Sequence, residues 1–229
     1  FGFCPSDVPG ALGASAELPR YGLGPMTIAS GVCGLALKKD IEQDDGTYRH
    51  QYTTGFPAPS VLSCSFDPDL IFSVGKAIGR EMREYGVSAR LTFSNSLLCA
   101  EHLSDRKCNA LCALFGESKE PRNGVIIHSD ILLEYLKKRY PEFYFVSSTT
   151  KVLTDFRQFV HEIEREDFSF VVPDFRLNKT FDKLNSLSAS QKNKVEFLCN
   201  ECCWFGCMDR KNCYENVSRK NLGENCPEH

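Results

Sequence analysis

The chain has 229 residues, a formal net charge of −3 and 42% hydrophobic residues, which is ordinary for a globular protein with a sizeable core. This charge provides no basic field for DNA, and no apolar run approaches the ~18 residues that a membrane span needs. No signal peptide is visible, and cysteines inside predicted strands and helices favour a reduced, cytoplasmic protein.

The amino-terminal third contains weak structural signals followed by one clear helix. Phe1–Pro25 is rich in Gly, Pro and Ala and is predicted to be loop-like, and the charged segment Lys38–Tyr52 is predicted to be a surface loop. Met26–Ser30 and Ser60–Phe66 are predicted strands. The helix that follows has Asp67 as N-cap, Pro68 at its first position and Gly86 beyond its end.

From Arg90 onward, short strands alternate with helices. The predicted strands are Arg90–Phe93, Val125–His128, Phe143–Ser147, Phe168–Val172 and Val195–Leu198. The predicted helices are His102–Phe115, Ile131–Tyr140 capped by Asp130, one that begins after Asp155, Phe181–Leu187 and Met208–Arg219. Such alternation is typical of parallel strands joined by right-handed crossover helices.

Polar residues follow most of these strands, and polar strand ends that converge on one face are typical of a TIM barrel. We therefore predict an α/β fold, an incomplete (β/α) TIM-type barrel with about seven parallel strands, with an open doubly wound sheet as the alternative. No G-x-G-x-x-G or P-loop follows a strand, so no nucleotide cofactor is expected. Seven strands leave two unpaired edges, which predicts a homo-oligomer through the open barrel edges.

A cysteine-rich loop follows the last predicted strand, where barrel proteins build their sites. It contains six of the twelve cysteines: Cys199, Cys202, Cys203, Cys207, Cys213 and Cys226. Their spacing fits no single zinc-finger template, whereas Fe–S clusters tolerate more varied spacing. Metal ligation, buried thiols and disulfides all remain open. Ligation of a 4Fe–4S cluster or zinc is favoured. The preferred ligands are Cys202, Cys203, Cys207 and Cys213.

Four residues at strand ends are candidates for acid/base catalysis: His128, Asp130, Asp174 and Glu201. Three of them have a simpler interpretation. Asp130 is well placed as a helix N-cap, and His128 as a hydrogen-bonded strand residue. Glu201 flanks the cysteine-rich loop, where it is either a partner of a metal ligand or a solvated acid.

Two families resemble different parts of the chain. Leu18–Ala36, then T-G-F-P-A-P-S-V-L-S-C-S-F-D-P-D-L and G-K-A-I-G-R-E-M-R-E-Y-G-V, resemble the amino-terminal barrel of family 3 glycoside hydrolases, the β-glucosidase group. This resemblance implies a carbohydrate-active protein or a fragment of one. However, Ser30-Gly31-Val32 stands where that family has Asp-Gly-Pro, and its nucleophilic Asp has no match, so no β-glucoside hydrolysis is expected.

From about Ala89 the motifs change. A-R-L-T-F-S-N-S-L-L, N-G-V-I-I-H-S-D-I-L-L-E-Y-L, F-V-V-P-D-F-R-L-N and F-L-C-N-E-C-C-W-F-G-C-x-x-R resemble a barrel family allied to peptidase family 32, the collagenase-like peptidases. The resemblance implies a barrel and a 4Fe–4S cluster on four cysteines. The two resemblances divide the chain into segments 1–88 and 89–229. Such a barrel continues beyond Cys226, so a joined or truncated chain is expected.

Together these patterns predict a hydrolase-type barrel with a carboxyl-terminal thiolate cluster. Its substrate would be a small molecule, a glycan or a peptide. The alternatives are a glycosidase-like protein and a non-catalytic fusion whose two segments share no site.

Overall fold

A computed structural model describes residues 13–14, 27–28, 33–35, 37, 40–119, 122–198, 201 and 203–224. The chain divides into two compact units, which we call unit 1 (Phe1–Ser88) and unit 2 (Ala89–His229). Among the described helices, none is long and apolar enough to cross a membrane.

The described strands of unit 1 form two short antiparallel pairs. Strand β1 (Gly13–Ala14) pairs with β2 (Thr27–Ile28), and β3 (Asp40–Glu42) pairs with β4 (Tyr48–His50). The second pair is a hairpin inside the segment predicted to be a loop. Its turn contains Asp45-Gly46, a dipeptide typical of tight hairpins. The Asp45 carboxylate accepts the Thr47 N–H at 2.9 Å, and Gly46 adopts the positive φ of +78° that the turn requires.

The predicted strand Ser60–Phe66 is wrong, because helix α1 (Pro59–Ser63) occupies this segment. Pro59 starts the helix, where its missing N–H costs nothing, and Phe66 then turns the chain with φ +51°. Helix α2 (Pro68–Glu84) begins as predicted, with the Asp67 carboxylate accepting two backbone N–H groups.

The described strands of unit 2 form one parallel sheet in the order β5 (Arg90–Phe93), β6 (Gly124–Ile127), β7 (Tyr144–Ser147) and β8 (Phe170–Val171). These four strands were predicted. The fifth, Val195–Leu198, contributes only one parallel bridge, from Val195 to Val171. The α/β class is confirmed, while seven parallel strands and a barrel are not: in the described part of the chain, the parallel sheet has four strands and those of unit 1 are antiparallel.

The helices of unit 2 connect or follow these strands. They are α3 (Arg106–Gly116), α4 (Asp130–Arg139), α5 (Phe156–Glu164), α6 (Phe181–Asn185), α7 (Ala189–Asn193) and α8 (Arg210–Asn221). Short 3₁₀ turns lie at Ala100–Ser104, Thr149–Lys151 and Phe175–Lys179. The predicted helix His102–Phe115 is two elements, because the Asp105 carboxylate accepts the Cys108 N–H at 2.7 Å and starts α3 anew.

The hydrophobic core of unit 2 lies between the sheet and its helices. The sheet contributes fully or almost fully buried apolar residues such as Val125 and Ile127, and the helices contribute Leu133, Phe159 and Ile163. Cys112 of α3 joins this core, and burial raises the pKa of its thiol to about 11. A rigid core of this kind fixes the ends of the strands, where the polar residues of unit 2 collect.

Candidate functional site

His128 and a group of hydroxyls lie at the carboxyl ends of β6 and β7. The Nδ1 atom of His128 is 2.8 Å from Thr150 Oγ1, which in turn lies 2.9 Å from Ser148 Oγ. Burial, and then the charge of Lys151, lower the pKa of His128. The imidazole is therefore neutral near pH 7 and can accept a proton.

Asp174 follows β8 and is fully buried. Its Oδ1 accepts hydrogen bonds from the Arg176 backbone N–H at 3.1 Å and from Arg176 Nε at 2.6 Å, while Oδ2 accepts Arg176 Nη2 at 3.1 Å. This bond to Asp174 raises the pKa of Arg176. The two-pronged contact fixes the direction of the guanidinium as well as its charge.

Arg210, the first residue of α8, is the most heavily buried cation of the site, with 1% of its surface exposed. Its Nη2 lies 2.6 Å from Glu201 Oε2, and its Nε lies 3.3 Å from Asp174 Oδ2. The guanidinium also lies 4.9 Å from the ring centre of Phe175 and 5.1 Å from that of Tyr214.

The electrostatics of Arg210 depend on these partners. Burial alone would lower its pKa, but the hydrogen bond with Glu201, the charge of Tyr214 and a bond with Cys203 raise it. Its Nη1 atom is buried and has no hydrogen-bond partner among the described residues. A buried N–H without a partner is costly, so this atom marks a place where an acceptor fits.

The described part of the cysteine-rich loop is attached to this ion network. The Cys203 N–H donates to Glu201 Oε1 at 3.1 Å, and Arg176 Nη1 donates to the Cys207 carbonyl at 3.1 Å. A turn closed by the Cys207 N–H and the Trp204 carbonyl (2.9 Å) separates the two cysteines. Both arginines therefore hold the loop at the carboxyl end of the sheet.

Helix α8 crosses the same edge of the sheet. Arg210 at its start contacts Asp174, and Ser218 near its end accepts the Ser96 N–H at 3.0 Å. The Ser218 carbonyl accepts Asn95 Nδ2 at 3.0 Å. One helix thus links the ends of β5 and β8.

The predicted catalytic residues lie in three different environments. Asp174 and Glu201 both neutralise Arg210, and His128 pairs with Thr150. Asp130 is exposed, and its carboxylate accepts Arg165 Nη1 at 2.9 Å. It is not the N-cap of α4, a position that Ser129 takes without a side-chain cap bond.

The predicted metal ligands are only partly described. Cys199, Cys202 and Cys226 lie outside the described residues, and Cys213 is exposed on α8. The eight described cysteines are free thiols. Among the described residues, no three His, Cys, Asp or Glu side chains are arranged to hold a metal, so the metal centre stays a prediction.

Sequence reasoning missed Arg210 as a site residue. A basic residue at the start of a polar helix normally indicates a solvated position, since cations are disfavoured at helix N-termini. The signal that could have found it is its place at the end of the F-G-C-x-x-R motif, three residues beyond Cys207.

Comparison with known proteins gives weak likenesses. No protein-family model matches the chain, and no curated protein matches it. Two solved structures of β-glucosidase 3B from Thermotoga neapolitana are similar, one with glycerol (17% identity, TM-score 0.37) and one with α-D-glucose (19%, TM-score 0.35). Each covers 96% of this chain, which spans about a third of the β-glucosidase (34% and 36%). A TM-score below 0.5 does not demonstrate a shared fold.

Proposed function

We propose that unit 2 is a metal-binding module whose cysteine-rich loop holds a thiolate-ligated centre, a 4Fe–4S cluster or zinc, at the carboxyl end of the sheet. The observation that supports this proposal is the pairing of the cysteine-rich loop with two arginines. The Cys203 N–H donates to Glu201, whose other carboxylate oxygen lies 2.6 Å from Arg210 Nη2, and Arg176 Nη1 donates to the Cys207 carbonyl at 3.1 Å.

Such pairing favours metal ligation for electrostatic reasons. A thiol binds a metal as the thiolate, and a neighbouring guanidinium stabilises the thiolate relative to the thiol. A centre with four thiolate ligands is also net negative, and N–H donors near its sulfurs stabilise it. The buried Nη1 of Arg210, which has no hydrogen-bond partner among the described residues, is an available donor in this network.

The sequence of the loop supplies enough thiols for such a centre. Cys203 and Cys207 flank one turn and provide two sulfurs, and Cys199, Cys202 and Cys226 are available for the remaining positions. Cys213 is the least suitable of the six, because it is exposed on α8. The centre would supply either structural cross-linking or redox chemistry, and the ion network would keep the loop in place.

Elemental analysis after anaerobic purification tests this proposal. We expect stoichiometric Fe or Zn in the parent protein and its loss in Cys203→Ser and Cys207→Ser. Cys213→Ser and Cys64→Ser, both at exposed thiols, are the matched controls and should keep the metal. A parent protein without stoichiometric metal, or serine variants that retain it, would overturn the proposal.

A second candidate function is hydrolase-type acid/base chemistry at His128. The supporting observation is the 2.8 Å contact between its neutral imidazole and the Thr150 hydroxyl. We expect hydrolysis of an activated ester or peptide to fall at least tenfold in His128→Ala. No turnover of a nitrophenyl β-glucoside is expected, since Ser30 stands where the family 3 glycoside hydrolases have Asp and their nucleophilic Asp has no match.

A further inference from the structure

A cleft of about 280 Å³ opens at the carboxyl end of β5, between α3, α4 and the end of α8. Its walls are largely apolar and include Phe93, Leu98, Leu103, Cys112, Leu132 and Leu136. Neither the arginines of the ion network nor the loop cysteines line it. It is a separate feature of unit 2 and does not depend on a metal centre.

Three polar side chains of the cleft already have partners, those of Tyr135, Asn109 and Asn95. The Tyr135 hydroxyl donates to Asn109 Oδ1 at 2.6 Å, and Asn109 Nδ2 donates to the Leu103 carbonyl at 2.8 Å. Asn95 is held by Ser218 and by the Leu97 N–H. These groups hold one another in place and shape the cleft.

His102 differs from these residues. Its Nδ1 accepts the Cys99 N–H at 3.1 Å, so the neutral ring carries its proton on Nε2. The Cys99 sulfur lies 3.1 Å from Nδ1 and 4.0 Å from Nε2, so its contact is with Nδ1. His102, which lines the cleft, therefore provides it with a hydrogen-bond donor.

From this geometry we propose that the cleft binds a small, mostly apolar molecule that carries one hydrogen-bond acceptor, of the aryl ketone class, with His102 donating to the acceptor. The size agrees, because an apolar cavity of about 150 Å³ holds a benzene ring. A cleft of about 280 Å³ accommodates a ring with a short polar substituent. Apolar walls with one oriented polar group are typical of small-molecule sites.

Acetophenone and its isostere α-methylstyrene, which has a methylene in place of the carbonyl oxygen, are matched probes. In ligand-observed NMR titrations of the full chain, we expect both to bind saturably and acetophenone to bind about tenfold more tightly. One neutral hydrogen bond accounts for a difference of this size. His102→Phe should bring the two dissociation constants within about twofold of each other.

Two tryptophan variants locate the binding site. Cys108 lines the cleft from the exposed surface of α3, so Cys108→Trp should fill the cleft and abolish binding of both probes. Leu111→Trp, on the same helix at an exposed position outside the cleft, should bind like the wild type. Circular dichroism checks that each variant is folded.

Three results would overturn the proposal. They are absence of saturable binding in the wild type, unchanged binding in a folded Cys108→Trp, and equal affinity of the two probes for the wild type.

Discussion

Unit 1 and unit 2 both contain amphipathic helices with well-formed caps, yet they bury them very differently. In unit 1, α2 has no buried residue, and Leu70 is 44% and Phe72 62% exposed. In unit 2, Leu133 of α4 and Phe159 of α5 are 0% exposed. The described strands of unit 1 are antiparallel pairs of two or three residues, whereas unit 2 has consecutive parallel strands that its helices cover. An apolar helix face needs a continuous surface before it can form a core.

The charged pairs differ in the same way. The Asp40–His50 pair of unit 1 joins two half-exposed side chains across a hairpin. In unit 2, Asp174 and Arg210 are 0% and 1% exposed. Burial makes such a pair sensitive to the loss of one member, because the remaining charge has no water to solvate it.

The largest expected effect is that of removing the buried carboxylate. Asp174→Ala should reduce the free energy of unfolding by about 3–5 kcal/mol, since it leaves the Arg176 and Arg210 charges with one fewer partner. Asp40→Ala, the matched change in unit 1, should cost less than about 1 kcal/mol. Urea denaturation followed by circular dichroism measures both. Similar losses in the two variants would contradict the contrast between the units.

A smaller effect is expected for matched leucines. Leu133→Ala should reduce the free energy of unfolding by about 2–5 kcal/mol through lost burial and the cavity left behind. Leu70→Ala removes the same atoms from an exposed helix face and should cost about 0.5 kcal/mol. If thermal unfolding shows the Leu70 variant to be as unstable as the Leu133 variant, a surface covers α2 in solution.

Loss of a helix N-cap should reduce the free energy of unfolding by about the same amount in both units. Asp67 and Asp155 each accept two backbone N–H groups, at 3.0 Å for α2 and at 2.9 and 3.0 Å for α5. Replacement of either by Ala should cost about 1 kcal/mol. Hydrogen exchange should show the loss in the first turn of the helix concerned. A loss confined to the α5 cap would mean that α2 is not stably helical.

The smallest effect concerns pH. Because the pKa of His128 is lowered in the folded state, the unfolded state binds its proton more readily. The stabilisation from the neutral imidazole is present above the unfolded pKa of about 6.5 and is lost as the pH falls through the folded pKa. His128→Gln should therefore flatten the decrease in unfolding free energy below pH 6.5. Parallel pH profiles for the variant and the wild type would contradict this assignment.

Local signals in the sequence determined much of the secondary structure. Asp67 and Asp155 were recognisable as caps because a carboxylate there accepts N–H groups within three residues. The strands β5 to β8 were recognisable because short apolar runs alternate with helical periodicity. Ser60–Phe66 was mistaken for a strand because an apolar run of that length fits either element, and Pro59 decided in favour of a helix.

The sequence pointed to Asp174 and Glu201 as candidates, but only the tertiary structure decided that Arg210 joins them. Asp174, Glu201 and Arg210 come from three separate segments, and Glu201 and Arg210 each resemble a solvated surface charge when read locally. Likewise, His128 and Thr150 are 22 residues apart in the chain and came together only when β6 paired with β7. Burial of a charge depends on partners that packing brings together, and no periodicity along the chain encodes those partners.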